Sequence, residues 1–378
     1  MRIGSNNTQS ANQTMRVVQF LIGSYGGAER FFVRLSSALA ARGVEQLLLI
    51  NDHPALVGDV RQSGLNYEVF VPSKLGGIVD RYRVAKYCRA FRPDVVIAWM
   101  NRAARRLPRG SHVNVGRLGG YYPVKNYRRC DYLIGNTPAI VEKCIADGWP
   151  ADRIRMISNF TEPLGEMDGP VNDFGIEPGR PVLCALGRFD PWKGFDTLIQ
   201  ALARVENAVL LLAGQGEGEA SLRALAERCG VADRVRFLGW LDDRASLFRR
   251  ADICVVPSHH EPLGNVILEA WSAGCPVVAA ASEGPSWLIE HGRTGMLVPP
   301  GEPEALANLL KAALAAPDVR KRWAEEGRRR WEEEFTIDRI CLEYVEYFRY
   351  LMYTRSPWLS TQDQSFALAR QKETFQVF

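Results

Sequence analysis

Short apolar runs and amphipathic stretches alternate along most of this chain, and that alternation predicts its elements. Met15–Ile22 is apolar apart from two positions and is bounded by Gly23, so it reads as a strand. A glycine turn follows. Apolar residues at Phe32, Leu35, Leu39 and Ala40 then keep helical spacing until Gly43, and Glu45–Ile50 reads as a second strand. Strand, glycine turn, helix and strand make a βαβ unit. Tyr67–Val71, Val95–Trp99, Val113–Arg117, Tyr132–Asn136 and Arg153–Ser158 continue as strands, with helices at Asp80–Phe91 and Thr137–Asp147. Strands that alternate with helices argue for a parallel, doubly wound sheet.

The rhythm breaks at Glu162–Pro181, which is rich in proline, glycine and acids, and then restarts. Strands are expected at Pro181–Ala185, Ala208–Ala213, Val235–Leu238, Ile253–Val256, Pro276–Ala280 and Gly295–Val298. Helices are expected at Phe195–Arg204, Ala220–Arg228, Leu247–Arg250, Val266–Ala273, Glu302–Ala315, Val319–Phe335 and Asp338–Tyr353. The last carries Tyr344, Tyr347, Phe348, Tyr350 and Tyr353, read as a packed aromatic face. A chain of 378 residues suits two domains. The expected division is a polar leader at 1–14, a first domain at 15–162, a linker at 163–180, a second domain at 181–335, a final helix at 336–354 and a tail at 355–378.

Composition narrows the class. The eight cysteines include no CxxC pair, and Cys184 and Cys254 sit inside apolar runs, so they read as small hydrophobes of a reducing, cytoplasmic compartment. No stretch reaches the length of a membrane span, and no zinc spacing is present. The net charge is only +4, but from Arg81 to Arg129 thirteen Lys/Arg face one acid, Asp94. Such a region suits an anionic membrane surface or a phosphorylated substrate. No RNA-type aromatic motif or helix-turn-helix accompanies it, so nucleic acid is not expected.

Candidate chemistry gathers where ligands bind an open α/β sheet, beyond the carboxyl ends of its strands. Three loops of the second half lie at such ends: Gly187–Lys193, Gly214–Gly218 and His259–Asn265. Arg188 and Lys193 beside a helix N-terminus would hold a diphosphate without a metal. Glu261 and Glu269, eight residues apart, would accept hydrogen bonds from sugar or ribose hydroxyls. In the first half Gly26 and Gly27 open a helix and allow close approach of a phosphate or sugar. The spacing there is not GxGxxG, and no acid closes the second strand as it would in an NAD-dependent oxidoreductase.

With these motifs assembled, the chain resembles a GT-B glycosyltransferase of family 4. The matching residues are Gly187-Arg188 with Lys193-Gly194, Ala213-Gly214-Gln215-Gly216, Phe237-Leu238-Gly239, Glu261 with Glu269, and Gly292-Arg293-Thr294-Gly295. Gly26-Gly27-Ala28-Glu29-Arg30 and Ile157-Ser158-Asn159 match more loosely. The resemblance implies two Rossmann-like domains facing a central cleft, with the last helix crossing back to the first domain. It implies a retaining, metal-independent transfer from a nucleotide-sugar, with no cofactor and with a UDP-sugar expected. Arg188 and Lys193 would neutralise the diphosphate and Glu261 would contact the transferred sugar. Glu269 would hold the ribose, while Gly187, Gly214, Gly239 and Trp240 line the donor. Leu263, Gly264, Asn265 and Val266 would present backbone groups, and Gly26 and Gly27 would close on the diphosphate. The implied acceptor is a cell-envelope glycolipid, lipopolysaccharide or polysaccharide intermediate at the cytoplasmic membrane face. Two departures stand out: Arg117–Tyr122 has no histidine where the family often has one, and Trp287 stands where an acid is usual. A sugar-nucleotide-binding protein without catalysis is the other reading of the donor motifs.

Overall fold

The computed structural model describes residues 14–23, 26–74, 76–164 and 172–354. The expected leader (apart from residue 14), the middle of the expected linker and the expected tail lie outside the described residues.

The chain forms two compact units. The first takes the described residues up to Asn136, then Ile140–Ile157, then the final helix from Cys341; the second takes Thr137–Ala139 and the described part of Ser158–Ile340. The first unit carries β1 (Arg16–Leu21), β2 (Glu45–Ile50), β3 (Tyr67–Val69), β4 (Val95–Trp99), β5 (Val113–Leu118), β6 (Tyr132–Gly135) and β7 (Ile154–Met156). Their order is β3-β2-β1-β4-β5-β6-β7, parallel throughout. Its helices are α1 (Gly27–Ala41), α2 (Pro54–Gln62), α3 (Gly77–Phe91), α4 (Met100–Ala104) and α5 (Pro138–Ala146), whose first two residues count with the second unit.

Apolar spacing does not announce α2 and α4. The first buries only Leu56 and Val60, too few to set a helical period. The second is five residues long and is entered through Met100 at φ +60°, a left-handed turn tied to no glycine.

The second unit repeats the plan with β8 (Val182–Leu186), β9 (Val209–Ala213), β10 (Val235–Gly239), β11 (Ile253–Val256), β12 (Val277–Ala280) and β13 (Met296–Val298). Their order is β10-β9-β8-β11-β12-β13, again parallel. Around it stand α6 (Phe195–Leu202), α7 (Glu219–Arg228), α8 (Arg244–Arg250), α9 (Asn265–Ser272), α10 (Glu283–Leu288), α11 (Pro303–Leu314) and α12 (Pro317–Glu334), with α13 (Ile337–Thr354) ending the described chain.

Side chains alternate across a strand, so a run apolar at every position must be covered on both faces. Leu183, Ala185, Leu210, Leu212 and Val255 enter one core. Their neighbours Val182, Cys184, Val209, Leu211 and Cys254 enter the other. Strand order reverses between β1 and β4 in the first sheet and between β8 and β11 in the second. At such a reversal the loops leaving the two central strands diverge to opposite faces and leave a crevice.

Candidate functional site

Glycines zip the second unit's strand-end loops together. Gly187 donates its backbone N–H to the Ala213 carbonyl at 3.1 Å, Phe189 to that of Gln215 at 3.0 Å, and Gly214 to that of Gly239 at 2.7 Å. Gly214 has φ +140°, and a Cβ there would stand 1.8 Å from the Gly187 carbonyl oxygen. No other residue fits that approach. The loops after β8, β9 and β10 therefore form one surface.

The crevice lies between the loops after β8 and β11, and an ion pair spans it. Gly194, at φ +64°, lets the β8 loop come so near that a Cβ would meet the Pro257 carbonyl oxygen at 2.1 Å. The His259 N–H donates to the Trp192 carbonyl at 2.8 Å. Lys193 Nζ then donates to Glu261 Oε2 at 2.5 Å, with both side chains mostly buried. Glu261 stands just before α9, whose N-cap is Gly264 at φ +100°. The pair therefore sits where the N–H groups of a helix N-terminus gather.

The backbone of Glu261 is fixed as well. Its carbonyl accepts the Gly284 N–H at 2.8 Å, and its own N–H donates to Glu283 Oε2 at 3.2 Å. Glu283 Oε1 lies 2.6 Å from His260 Nδ1. Burial pushes the Glu283 carboxyl up, but its own N–H, the His260 ring and the Glu261 N–H outweigh that and hold it below its ordinary value. The two histidines thus part company: His260 partners Glu283, whereas His259 Nε2 lies 3.7 Å from Asp196 of α6. Trp287 packs edge-on against Phe335, and the local carboxylate comes instead from Glu283, four residues earlier.

The other expected positions differ in their setting. Arg188 is not held beside Lys193; its side chain is 79% exposed and its Nε reaches Asp190 Oδ2 at 3.2 Å. Trp240 is half exposed and donates from Nε1 to Asp242 at 2.9 Å. Leu263 sends its side chain into the core, which leaves only its backbone for a ligand. Asn265 Oδ1 accepts from Asn159 Nδ2 at 2.9 Å, so the residue that opens α9 is tied to the Ile157-Ser158-Asn159 segment.

Glu269 lies one turn deeper in α9 and is 8% exposed. Its Oε1 accepts from Arg244 Nη1 at 2.5 Å, while its Oε2 is buried with no hydrogen-bond partner among the described residues. Apolar periodicity could not find Arg244. It is the first residue of α8, a helix capped by the Asp243 side chain, which accepts the Ser246 N–H at 3.0 Å. The signal was its place in the strand-end loop after β10.

In the first unit Gly26 is the N-cap of α1, with extended backbone, and a Cβ at Gly27 would meet nothing within 4 Å among the described residues. Two residues on, Glu29 is 3% exposed. Burial pushes its carboxyl up, opposed by the N–H groups of Glu29 and Gly26 and by His53. The thirteen cations counted from Arg81 are not one face. Arg117 is 1% exposed, lies 4.8 Å from each of the Phe31 and Trp99 rings, and donates from Nε to Tyr344 Oη at 3.2 Å. A charge count along the chain cannot separate such a core arginine from a surface one.

Residues 171–330 match the family model for glycosyl transferases group 1, and residues 25–163 match that for Glycosyltransferase Family 4. LpsE of Rhizobium meliloti (strain 1021), a lipopolysaccharide core biosynthesis glycosyltransferase, is 38% identical over 343 residues, 88% of this chain and 98% of its own. LpsD of the same strain, described in the same words, is 35% identical over 337 residues, with the same two shares. The crystal structure of HepE from Anabaena in complex with UDP and glucose is similar with a TM-score of 0.76 at 23% identity, over 89% of this chain and 99% of that one.

Proposed function

The chain belongs to family 4 of the glycosyltransferases and has their two-unit GT-B fold, and on that premise we propose that it moves a sugar from a UDP-sugar to a lipopolysaccharide core acceptor, with retention at the anomeric carbon and without a metal. The relatives LpsE and LpsD, similar over nearly their whole length, support the acceptor class. The UDP held by HepE favours that base.

One observation carries the mechanism: Lys193 and Glu261 meet at 2.5 Å across the crevice, at the start of α9. Lys193 neutralises Glu261. An arriving diphosphate offers the ammonium a second anion beside the helix N-terminus, and Arg188, on an exposed side chain, has the freedom to swing in from Asp190. Both cations then face the charge that builds on the leaving phosphate as the glycosidic bond breaks. Glu261, still hydrogen-bonded to Lys193, turns its other oxygen to a hydroxyl of the transferred sugar. The Oε2 of Glu269, which has no partner among the described residues, accepts from the ribose, and Arg244 holds that carboxylate in place.

Incubation with UDP-, GDP- and ADP-sugars and a core oligosaccharide acceptor, with and without chelator, tests this reading. UDP release coupled to a new linkage of unchanged anomeric configuration by NMR is expected, undiminished by chelator. Loss of turnover on chelation would refute metal independence, and inverted product would refute retention. Donor binding with no product from any acceptor would favour a sugar-nucleotide-binding protein.

An acceptor of this class is membrane-borne, which favours an anionic bilayer surface on the cytoplasmic side as the place of reaction. Among the described residues no helix is long and apolar enough to cross a membrane. The exposed Ile78 and Tyr82 of α3 share that helix with Lys86 and Arg89, a mixture suited to a lipid interface. Cosedimentation with phosphatidylglycerol vesicles should fall when Lys86 and Arg89 are reversed to Glu; unchanged cosedimentation would remove α3 from any membrane role.

A further inference from the structure

The first unit holds a second concave site, lined by none of the residues assigned above to the donor. Arg81, Arg105, Arg106, Lys125, Arg128 and Arg129 line a cavity of about 450 Å³, and its other two lining residues are uncharged. The volume falls within the ordinary range for small-molecule sites, roughly 300–1,000 Å³.

Three segments build it: the start of α3, the turn after α4, and the 3-10 turn Val124–Tyr127 that follows β5. All three stand at the carboxyl edge of the parallel sheet, where open α/β domains bind ligands. The last two follow β4 and β5, whereas α3 starts after β3, on the other side of the reversal between β1 and β4. Gly26 and Gly27 follow β1 at the same edge.

The charges are arranged. Asp80 has a fully buried side chain; its Oδ2 accepts from Arg106 Nε at 2.8 Å and its Oδ1 from the Ser73 N–H at 2.8 Å. That pair fixes Arg106 as a wall of the cavity. Arg129 is steadied through the Leu107 carbonyl at 3.4 Å, and burial together with Arg81, Arg109 and Arg128 lowers its guanidinium pKa. Among the described residues, no carboxylate pairs with Arg81, Arg105, Lys125, Arg128 or Arg129. Like charges crowded without counter-ions cost stability, so a fold that holds them concave is prepared for an anion.

Magnitude selects the anion. Six cations less the one answered by Asp80 leave five. A lone carboxylate would leave four of these unmatched, whereas each phosphomonoester brings about −1.5 to −2. Two or three phosphoryl groups fit, and arginine forks hold them in bidentate fashion. We propose that this cavity binds clustered phosphoryl groups of the acceptor, a sugar bearing phosphomonoesters or a diphosphate. The proposal rests on the reading of the first unit as the acceptor half.

Inorganic pyrophosphate is the probe, titrated calorimetrically into the full chain. Arg105 and Arg128 are exposed, so R105A/R128A should keep its fold, which its melting curve checks, and K125A serves as the second variant. The double variant should weaken pyrophosphate binding roughly tenfold or more, since each alanine removes a charge-assisted bond. Arg188→Ala, on the other unit, should leave this binding in place. Wild-type affinity in R105A/R128A and in K125A, or loss of binding in Arg188→Ala alone, would overturn the proposal and send the pyrophosphate to the donor loops. The titration needs neither donor nor transfer, so its failure is separable from failure of the transferase reading. Competition between pyrophosphate and phosphatidylglycerol vesicles identifies the source. Displacement of the vesicles by pyrophosphate would give the cavity to lipid headgroups and overturn the acceptor assignment, whereas independent binding supports phosphate borne by the glycan.

Discussion

At the scale of single residues the site rests on a few close approaches. Glu261→Gln keeps the shape and one hydrogen-bonding oxygen but removes the charge that holds Lys193. Transfer should fall about 100-fold or more, with the melting temperature moved by only a few degrees; steady-state kinetics beside calorimetry reads both. Two glycines separate fold from function. Gly214→Ala forces a Cβ into the Gly187 carbonyl at φ +140°, so it should destabilise by several kcal/mol, at the high end for a point change. Gly27→Ala meets nothing within 4 Å among the described residues, so denaturant unfolding should shift by no more than about 1 kcal/mol. If Gly27 lets a ligand approach, transfer still collapses in that variant; full activity would remove it from the site. Lys193, Glu261 and the glycines were legible because residue type and strand-end position suffice to select them. The exposed setting of Arg188, the partners of His259 and His260, and the burial of Arg117 were not. Each depends on a side chain meeting a residue distant in sequence, such as Tyr344 for Arg117.

At the scale of elements, the candidate site residues gather at helix starts, and the starts missed belong to short helices. α8 buries four residues in seven, too short a span for a period to declare where it begins; Arg244 was lost with that boundary. Arg244→Ala should raise the donor KM more than it lowers kcat, because it frees a ribose contact rather than a transition-state one. It should also cost about 3 kcal/mol in chemical denaturation, since Glu269 is then buried with its charge unanswered. Arg244→Lys, which restores a charge but not the fork, should recover part of each. α1 offers a test by pH. Burial raises the Glu29 carboxyl in the folded chain above its ordinary value of 4.5. In the window between those two values the unfolded chain has released the proton and the folded chain retains it. Stability should therefore fall as pH rises through that window, and Glu29→Gln, which keeps an acceptor for the Gly26 N–H, should flatten that fall. Equal slopes for the two proteins would show that Glu29 is ionised as freely in the fold as out of it.

At the scale of the whole molecule, the repeated strand-helix rhythm was sufficient for the fold, because parallel sheets covered on both faces leave continuous apolar strands. In the residues themselves the return of the chain end was legible as an aromatic stripe, and its direction came from the family resemblance. Tyr344, Tyr347 and Phe348 are buried with Val345 and Leu351, while Tyr353 is left exposed. From Cys341 onward the helix counts with the first unit, where Tyr344 meets Arg117 at 3.2 Å and Arg155 lies over the Tyr347 ring at 5.5 Å. Five such side chains at about 1.5–3 kcal/mol each amount to roughly 10 kcal/mol, and domains are stable by only about 5–15 kcal/mol. A chain ended after Ile340 should therefore lose the first unit and keep the second. Calorimetry should show one transition of reduced enthalpy, and limited proteolysis should leave a fragment beginning near Ser158. The fragment should still bind UDP, since Lys193, Glu261, Glu269 and Arg244 all belong to it, and it should transfer nothing, since Gly26, Gly27 and the basic cavity do not. Retained transfer by the shortened chain would mean that the first unit holds without its last helix, and would return α13 to the second unit alone.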